Sequence, residues 1–263
     1  MIENLLWRPL PIVVLTVRQF LGGKAVRVVT ALSLIPCLFA AIYLINTDID
    51  TPRNFLVTLF LEALIAPTLL PITVLILATA ALGNELEDRT LPYLTLKPIT
   101  RLRIVLEKLA GVLIVALPTV FLGLIATTLI VAQGQGDYAR MASRIDDDLS
   151  VVPVLWAMLG AATAGTIAIS AVFLAISLIV PRALLAGIVY TFTWESLLGR
   201  YLPGIRVVSI RHYVQSIFVR LLDDPSVTVA SATSLRGSLV TLGAVSVVAI
   251  LLATWRLRRM DLE

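Results

Sequence analysis

Residues 55–82 read FLVTLFLEALIAPTLLPITVLILATAAL and contain one charged side chain, Glu62. A helix needs about 20 mainly apolar residues to cross the hydrocarbon core of a bilayer. This stretch therefore predicts a membrane-spanning helix. Pro67 and Pro71 lie inside it, and membrane helices tolerate proline where neighbouring groups satisfy the freed backbone atoms. The stretch decides the class of fold, because a helix of this kind belongs to a membrane protein.

Comparable apolar stretches recur along the chain. Hydrophobic residues make up 59% of the sequence, whereas soluble domains have roughly 45–50%, and the mean hydropathy is +0.96. We predict an all-α, polytopic membrane protein with one transmembrane domain over residues 1–263. Six spans are expected, at 28–46, 55–82, 104–133, 151–180, 184–198 and 235–255, with the third broken at Pro118. Small residues in the fourth span, including Gly160 and Gly165, predict close helix packing within one protomer.

Residues 1–27 predict a helix that lies in the plane of the inner leaflet. Pro9 and Pro11 suit a helix entry, while Trp7 and Arg8 are residue types found at membrane interfaces. The sequence GGK at 22–24 predicts a sharp bend after this helix. The alternative, that these residues begin a tilted first span, stays open from the sequence alone.

The distribution of Lys and Arg predicts the orientation. These residues concentrate in 1–27, in 84–103 and after residue 255, while the two short loops predicted outside contain Arg53, Arg140 and Arg144. Because positive residues favour the cytoplasmic side, both termini are expected in the cytoplasm. The membrane is expected to be the cell (plasma or inner) membrane. The sequence pI is about 9.5, but the basic residues flank spans and form no stripe, so no nucleic-acid partner is predicted.

Segment 199–234 is predicted on the extracellular side and contains one strongly periodic helix. In SIRHYVQSIFVRLLDD, residues 209–224, the apolar positions recur at helical spacing. Ser209 is a candidate N-cap, and the DDP sequence at 223–225 predicts the end of the helix. The opposite face is polar and comprises Arg211, His212, Gln215, Ser216 and Arg220. We expect this helix at a membrane surface or as a roof over the bundle.

The charged segment ELEDRTLPYLTLKPITRLRIVLEK, residues 85–108, separates the second and third spans. Thr90 predicts the start of a short helix, which must end before Pro98 because the residue preceding proline disfavours helical backbone. Thr100 is expected to cap the third span. Exposed apolar patches usually mark contact sites, so the leucines and the tyrosine of the short helix are expected to contact another surface. That surface is either the membrane or a protein partner.

This segment resembles the coupling region of type 2 ATP-binding-cassette (ABC) exporter permeases. The resemblance lies in an acidic pair, then Thr-Leu and further leucines, then Pro-Ile-Thr-Arg at 98–101 and Lys108. Arg89 stands where glycine is usual in that family, and Pro92 where an acidic residue is common. The resemblance implies that an ABC ATPase subunit docks on Glu87, Asp88, Arg89, Thr90, Leu91, Tyr93, Leu94, Leu96, Pro98, Thr100 and Arg101.

The same resemblance implies a pump with two permease copies and two ATPase chains, with ATP and Mg²⁺ on the ATPase. The nearest match to a phosphate-binding loop here, GGKA at 22–25, lacks the required first glycine and the hydroxyl residue. With one histidine and one cysteine in the chain, the sequence predicts no catalytic, metal or cofactor site and therefore no enzyme. Substrate and direction of transport are not encoded in any motif.

Two carboxylates in or near predicted spans are further candidates, because ionisable groups within membranes default to functional hypotheses. Glu62 either contacts substrate or reaches the interface, and Glu195 either lines the pathway or pairs with Arg200 or Arg206. A stand-alone channel or secondary transporter is the rival function. Such proteins usually contain paired intramembrane charges or internal repeats, and neither is evident in the sequence.

Overall fold

The computed structural model describes residues 11–45, 51–87, 100–134, 150–180, 182–191, 193, 209–229 and 231–259. Regular structure in these residues is helical. The helices are α1 (Pro11–Gly22), α2 (Lys24–Ser33), α3 (Ile35–Ile45), α4 (Pro52–Thr58), α5 (Leu70–Glu87), α6 (Arg101–Gln133), α7 (Val152–Ile179), α8 (Ala183–Tyr190), α9 (Ile210–Leu222) and α10 (Leu235–Arg259). Two π-helical segments, Leu59–Ala63 and Ile65–Leu69, join α4 to α5.

Five helical stretches of the described chain are long and apolar enough to cross a membrane. They are Lys24–Ile45, Pro52–Gly83, Arg101–Gln133, Val152–Ile179 and Leu235–Arg259. The prediction of an α-helical, multi-pass membrane protein is therefore confirmed. At the predicted fifth span, 184–198, the structure has the eight-residue helix α8, which begins one residue earlier at Ala183; residues 192 and 194–198 lie outside the described ones.

The centre of the bundle is α7 packed against the second span. In each of these two spans, 67% of an 18-residue apolar stretch is buried, whereas the corresponding share is 28% in Lys24–Ile45 and 33% in α10. Glycines on α7 allow the close approach of α9: a Cβ on Gly160 would lie 2.6 Å from Leu221, and one on Gly165 would lie 2.8 Å from Val214. The prediction that these small residues pack within the protomer is confirmed.

Helix α6 continues through Pro118, so the predicted break in the third span is wrong. A proline in a helix removes one N–H donor from the backbone ladder. Here the hydroxyl of the next residue, Thr119, donates to the carbonyl oxygens of Val115 and Ala116, each at 2.9 Å. Neither carbonyl is the one that Pro118 leaves without a helical donor, which is Ile114 O, and membrane helices tolerate a proline of this kind within a continuous helix.

Helix α9 forms where the sequence predicts it, but it packs inside the bundle. Its late residue Leu221 faces Gly160, while its first residue, Ile210, lines a cavity with Phe173. It therefore runs antiparallel to α7 and extends past the middle of that helix. The predicted exposure of the polar face is wrong for His212 and Ser216, which are buried.

Internal hydrogen bonds make that burial possible. Ser216 Oγ donates to the His212 carbonyl at 2.8 Å and accepts from the backbone N–H of Thr233 at 3.3 Å. Buried polar groups are tolerated when they are hydrogen-bonded in this way. Helical periodicity identified the helix, but it could not show that backbone groups would form hydrogen bonds with its polar side chains.

Candidate functional site

The second span is interrupted at Leu64, whose backbone angles (φ −144°, ψ −49°) are not helical. The N–H of Leu64 donates to Leu59 O at 3.2 Å, and the N–H of Leu69 donates to Leu64 O at 3.0 Å. Both bonds span five residues. Pro67 explains the position of the break, because a proline ring clashes with the carbonyl four residues earlier and provides no N–H. Local π-helical geometry is frequent at functional sites.

A side chain from α9 supports this interruption. The amide nitrogen of Gln215 donates to the carbonyl oxygen of Leu61, one turn before the break. Irregular backbone at membrane depth is tolerated where it is buried in protein or lines a cavity. Gln215 therefore ties α9 to the broken span. The sequence placed Gln215 on the polar face of this helix, but no local pattern connected it with the proline-containing span.

A polar stripe runs along the exposed side of the same span, before the break. Asn54, Thr58 and Glu62 recur every fourth residue, and all three are exposed. Glu62 makes no ion pair with the described residues and lies about 13 Å beyond Arg53 at ~1.5 Å of helix rise per residue. A charge at the centre of a membrane helix costs roughly 2.5–3.5 kcal/mol. The i, i+4, i+8 spacing could have revealed Asn54 and Thr58 from the sequence.

An ion pair fixes the first turn of α4 to the loop after α9. Arg53 and Asp224 approach to 2.7 Å. The hydroxyl and the N–H of Ser226 both donate to Asp224, at 2.6 and 2.9 Å. These two hydrogen bonds, with a further contribution from Arg53, hold the pKa of Asp224 below its ordinary value. Together with Gln215, the pair attaches α9 to the second span at two levels.

The predicted docking segment joins two long helices, α5 ending at Glu87 and α6 beginning at Arg101. Its predicted contact residues Asp88, Arg89, Thr90, Leu91, Tyr93, Leu94, Leu96 and Pro98 lie outside the described residues, as does Glu195. Thr100 occupies the N-cap position of α6, where its carbonyl accepts from Ile104 N–H at 3.2 Å. The predicted N-cap position of Thr100 is therefore confirmed, although its hydroxyl makes no capping bond within the described chain.

A buried carboxylate joins the start of α6 to α1. Glu107 is 3% exposed; its Oε2 accepts from the backbone N–H of Ile12 at 3.0 Å, and its Oε1 accepts from Arg103 Nε at 2.6 Å. The first N–H groups of a helix have no partner within the helix and carry partial positive charge, so a carboxylate there is stabilising. We call this set of three residues the Glu107 junction.

One turn further along, α1 and α6 are in close contact. A Cβ on Gly111 would lie 2.9 Å from the Cβ of Thr16, and Thr16 is fully buried. The hydroxyl of Thr16 donates to Ile12 O at 2.8 Å. The N-terminal helix is therefore bound along α6, the helix that directly follows the predicted docking segment.

No model of a known protein family matches the chain, and no curated protein matches it either.

Proposed function

We propose that the chain is the membrane-spanning permease subunit of an ATP-driven ABC exporter. The observation that carries the proposal is the block at 85–108, in which charged residues, leucines and two prolines stand between two membrane-spanning helices. The block occupies the connection from α5 to α6. A short segment held between two long helices is well placed to pass force from a docked partner into both of them.

The Glu107 junction supports this role. Force applied at the docking segment would reach α6 at Arg101, and Glu107 lies less than two turns later. Because Glu107 bonds to Ile12 and Arg103, α1 would move with the start of α6. The other end of the segment leads through α5 to the break at Leu64. Motion transmitted along α5 would therefore reach a π-helical break, a geometry that is frequent at functional sites.

We further propose a membrane topology and an assembly for the chain. The chain has six spans, with 184–198 as the fifth, and both termini in the cytoplasm. Two copies pair in the cell membrane, substrate passes between them, and each copy docks one ATPase chain. The permease has no catalytic residues, and ATP and Mg²⁺ are held by the ATPase. Segment 199–234 lies toward the exterior.

Charge introduction into the docking segment tests the proposal. We expect Leu94→Asp and Arg101→Glu to reduce co-purification of an ABC ATPase at least tenfold. Leu94→Asp places a charge in an apolar contact, and Arg101→Glu changes a positive charge to a negative one. Membrane insertion should be unchanged. The measurement is the amount of ATPase, identified by its Walker motifs, and the ATP hydrolysis rate that co-elute with the tagged chain.

Leu94→Met and Arg258→Glu are the matched controls. The first keeps the apolar side chain, and the second makes the same charge reversal at an exposed residue near the end of α10. Both should retain the ATPase. Equal ATPase recovery from all four variants and the wild type would refute the docking assignment.

A stand-alone channel or secondary transporter is the second candidate. The interrupted second span, with Glu62 exposed beside the interruption, supports it, because secondary transporters use discontinuous helices in this way. The two functions separate in the same experiment: a stand-alone transporter would purify without any ATPase and would transport solute without ATP.

A further inference from the structure

The position of Glu62 requires a physical explanation. Its side chain is exposed on the outside of the protomer, within a span long and apolar enough to cross a membrane. An ionised carboxylate that faces lipid is costly, so such residues normally face water, a ligand or another protein surface. Thr58 and Asn54 on the same face extend the polar surface toward the start of the span.

The backbone beside Glu62 adds negative character. The helical segment that runs from Pro52 through Ala63 ends at the break, and the carbonyl end of a helix carries partial negative charge. One carbonyl oxygen at this end, that of Leu61, already accepts a hydrogen bond from Gln215. The carboxylate itself remains exposed, and the hydroxyl and amide of the stripe provide further oxygen atoms.

Among the described residues, two arginines of this region do not belong to the stripe. Arg211, on α9, lines an apolar cavity together with Ala66 and Pro71, and Glu62 is not part of that lining. Arg53 is paired with Asp224 at 2.7 Å. The exposed stripe therefore presents one formal negative charge, surrounded by uncharged polar groups and flanked by an apolar membrane face.

We infer that the stripe of Asn54, Thr58 and Glu62 binds hydrophobic organic cations and selects them against anions. This inference rests on the proposed function, because it names the substrate class of that pathway. A metal ion fits less well, since no group of three or more His, Cys, Asp or Glu side chains occurs within the described residues. A bulky cation of low charge density needs one carboxylate and an apolar surround, which the stripe provides.

Two ions of similar size and opposite charge test the inference. Tetraphenylphosphonium and tetraphenylborate are titrated into the purified full chain in nanodiscs of uncharged lipid, with empty nanodiscs as the baseline. We expect protein-dependent binding of the cation, and binding of the anion at least tenfold weaker. Glu62→Gln should weaken cation binding at least tenfold, and Glu62→Asp should stay within about threefold of the wild type.

Asp223→Asn is the matched control, because it makes the same carboxylate-to-amide change at an exposed aspartate after α9 and should leave cation binding unchanged. Glu62→Lys should reverse the preference in favour of tetraphenylborate. Thermal unfolding and elution of each variant verify folding, and the Asp and Lys variants keep the test decisive if Glu62→Gln is unstable.

Equal cation binding by wild type, Glu62→Gln and Glu62→Lys would overturn the inference, as would the absence of protein-dependent cation binding. Neither result would affect the proposed function, which depends on recovery of an ATPase with the docking segment. Conversely, a chain that binds the cation but recovers no ATPase would keep the cation site and refute the ABC assignment.

Discussion

Replacing Gly123 with alanine is expected to destabilise the protein by about 3 kcal/mol, the upper part of the usual range for overpacking. Gly123 lies on α6 where that helix meets the junction of α2 and α3. A Cβ there would overlap the carbonyl oxygen of Ser33 and lie 2.9 Å from its carbonyl carbon. Backbone cannot rotate away as a side-chain tip can, so the helices must separate. Thermal unfolding of the purified chain should show a Tm lower by roughly 6–12 °C.

Gly243→Ala is the control for this substitution. Gly243 also lies inside a membrane-spanning helix, α10, but an added Cβ would meet no atom within 4 Å. Alanine should therefore be neutral, or stabilising by roughly 0.5–1 kcal/mol because glycine is unfavourable inside a helix. A Tm for Gly123→Ala equal to that of Gly243→Ala would contradict the close packing of α6 on the first span.

Replacing Glu107 with alanine is expected to release α1 from α6. The substitution removes the acceptor of the Ile12 N–H inside a buried contact, and an unsatisfied buried donor costs about 1–3 kcal/mol. Local opening of α1 should then increase by roughly 5- to 150-fold, at tenfold per 1.4 kcal/mol. The rate of tryptic cleavage at Arg18, an exposed residue of α1, measures this opening under native conditions.

Arg103→Ala removes one of the two hydrogen bonds of the Glu107 junction and keeps the other. Arg103 is 49% exposed, so its bond to Glu107 is weakened by solvent and its loss should change cleavage at Arg18 less than threefold. Glu107 would still accept from Ile12. If Arg103→Ala and Glu107→Ala accelerate cleavage equally, or if neither does, the carboxylate does not hold α1 in place.

Hydropathy was sufficient to identify the class of fold and most of the long helices. Runs of apolar residues define candidate spans because backbone polar groups in lipid must be satisfied within helices. Periodicity also located α9, whose apolar residues face α7. Proline was a poor guide to breaks: Pro118 lies inside the continuous helix α6, whereas Pro67 accompanies a break at Leu64. The presence of a proline therefore does not by itself show where a membrane helix is interrupted.

The candidate site was predictable in part. Glu62 stood out as a charge in an apolar stretch, and its stripe followed a simple helical spacing. The bond from Gln215 to Leu61 and the bond from Glu107 to Ile12 join residues far apart in the chain, so no local pattern could reveal them. The burial of Glu107, which lies within the charged segment 85–108, depends on the contact with α1.

The proposed function requires that residues 85–103 receive mechanical work from a separate ATPase in the cytoplasm. Photo-crosslinking is the most direct test: Thr95 and Lys97 are replaced in turn by benzoylphenylalanine and irradiated in intact cells. We expect a covalent adduct with a cytoplasmic protein that contains Walker motifs, and loss of that adduct when Leu94→Asp is added. Adducts with lipid alone, or with a protein on the extracellular side, would refute the proposed function.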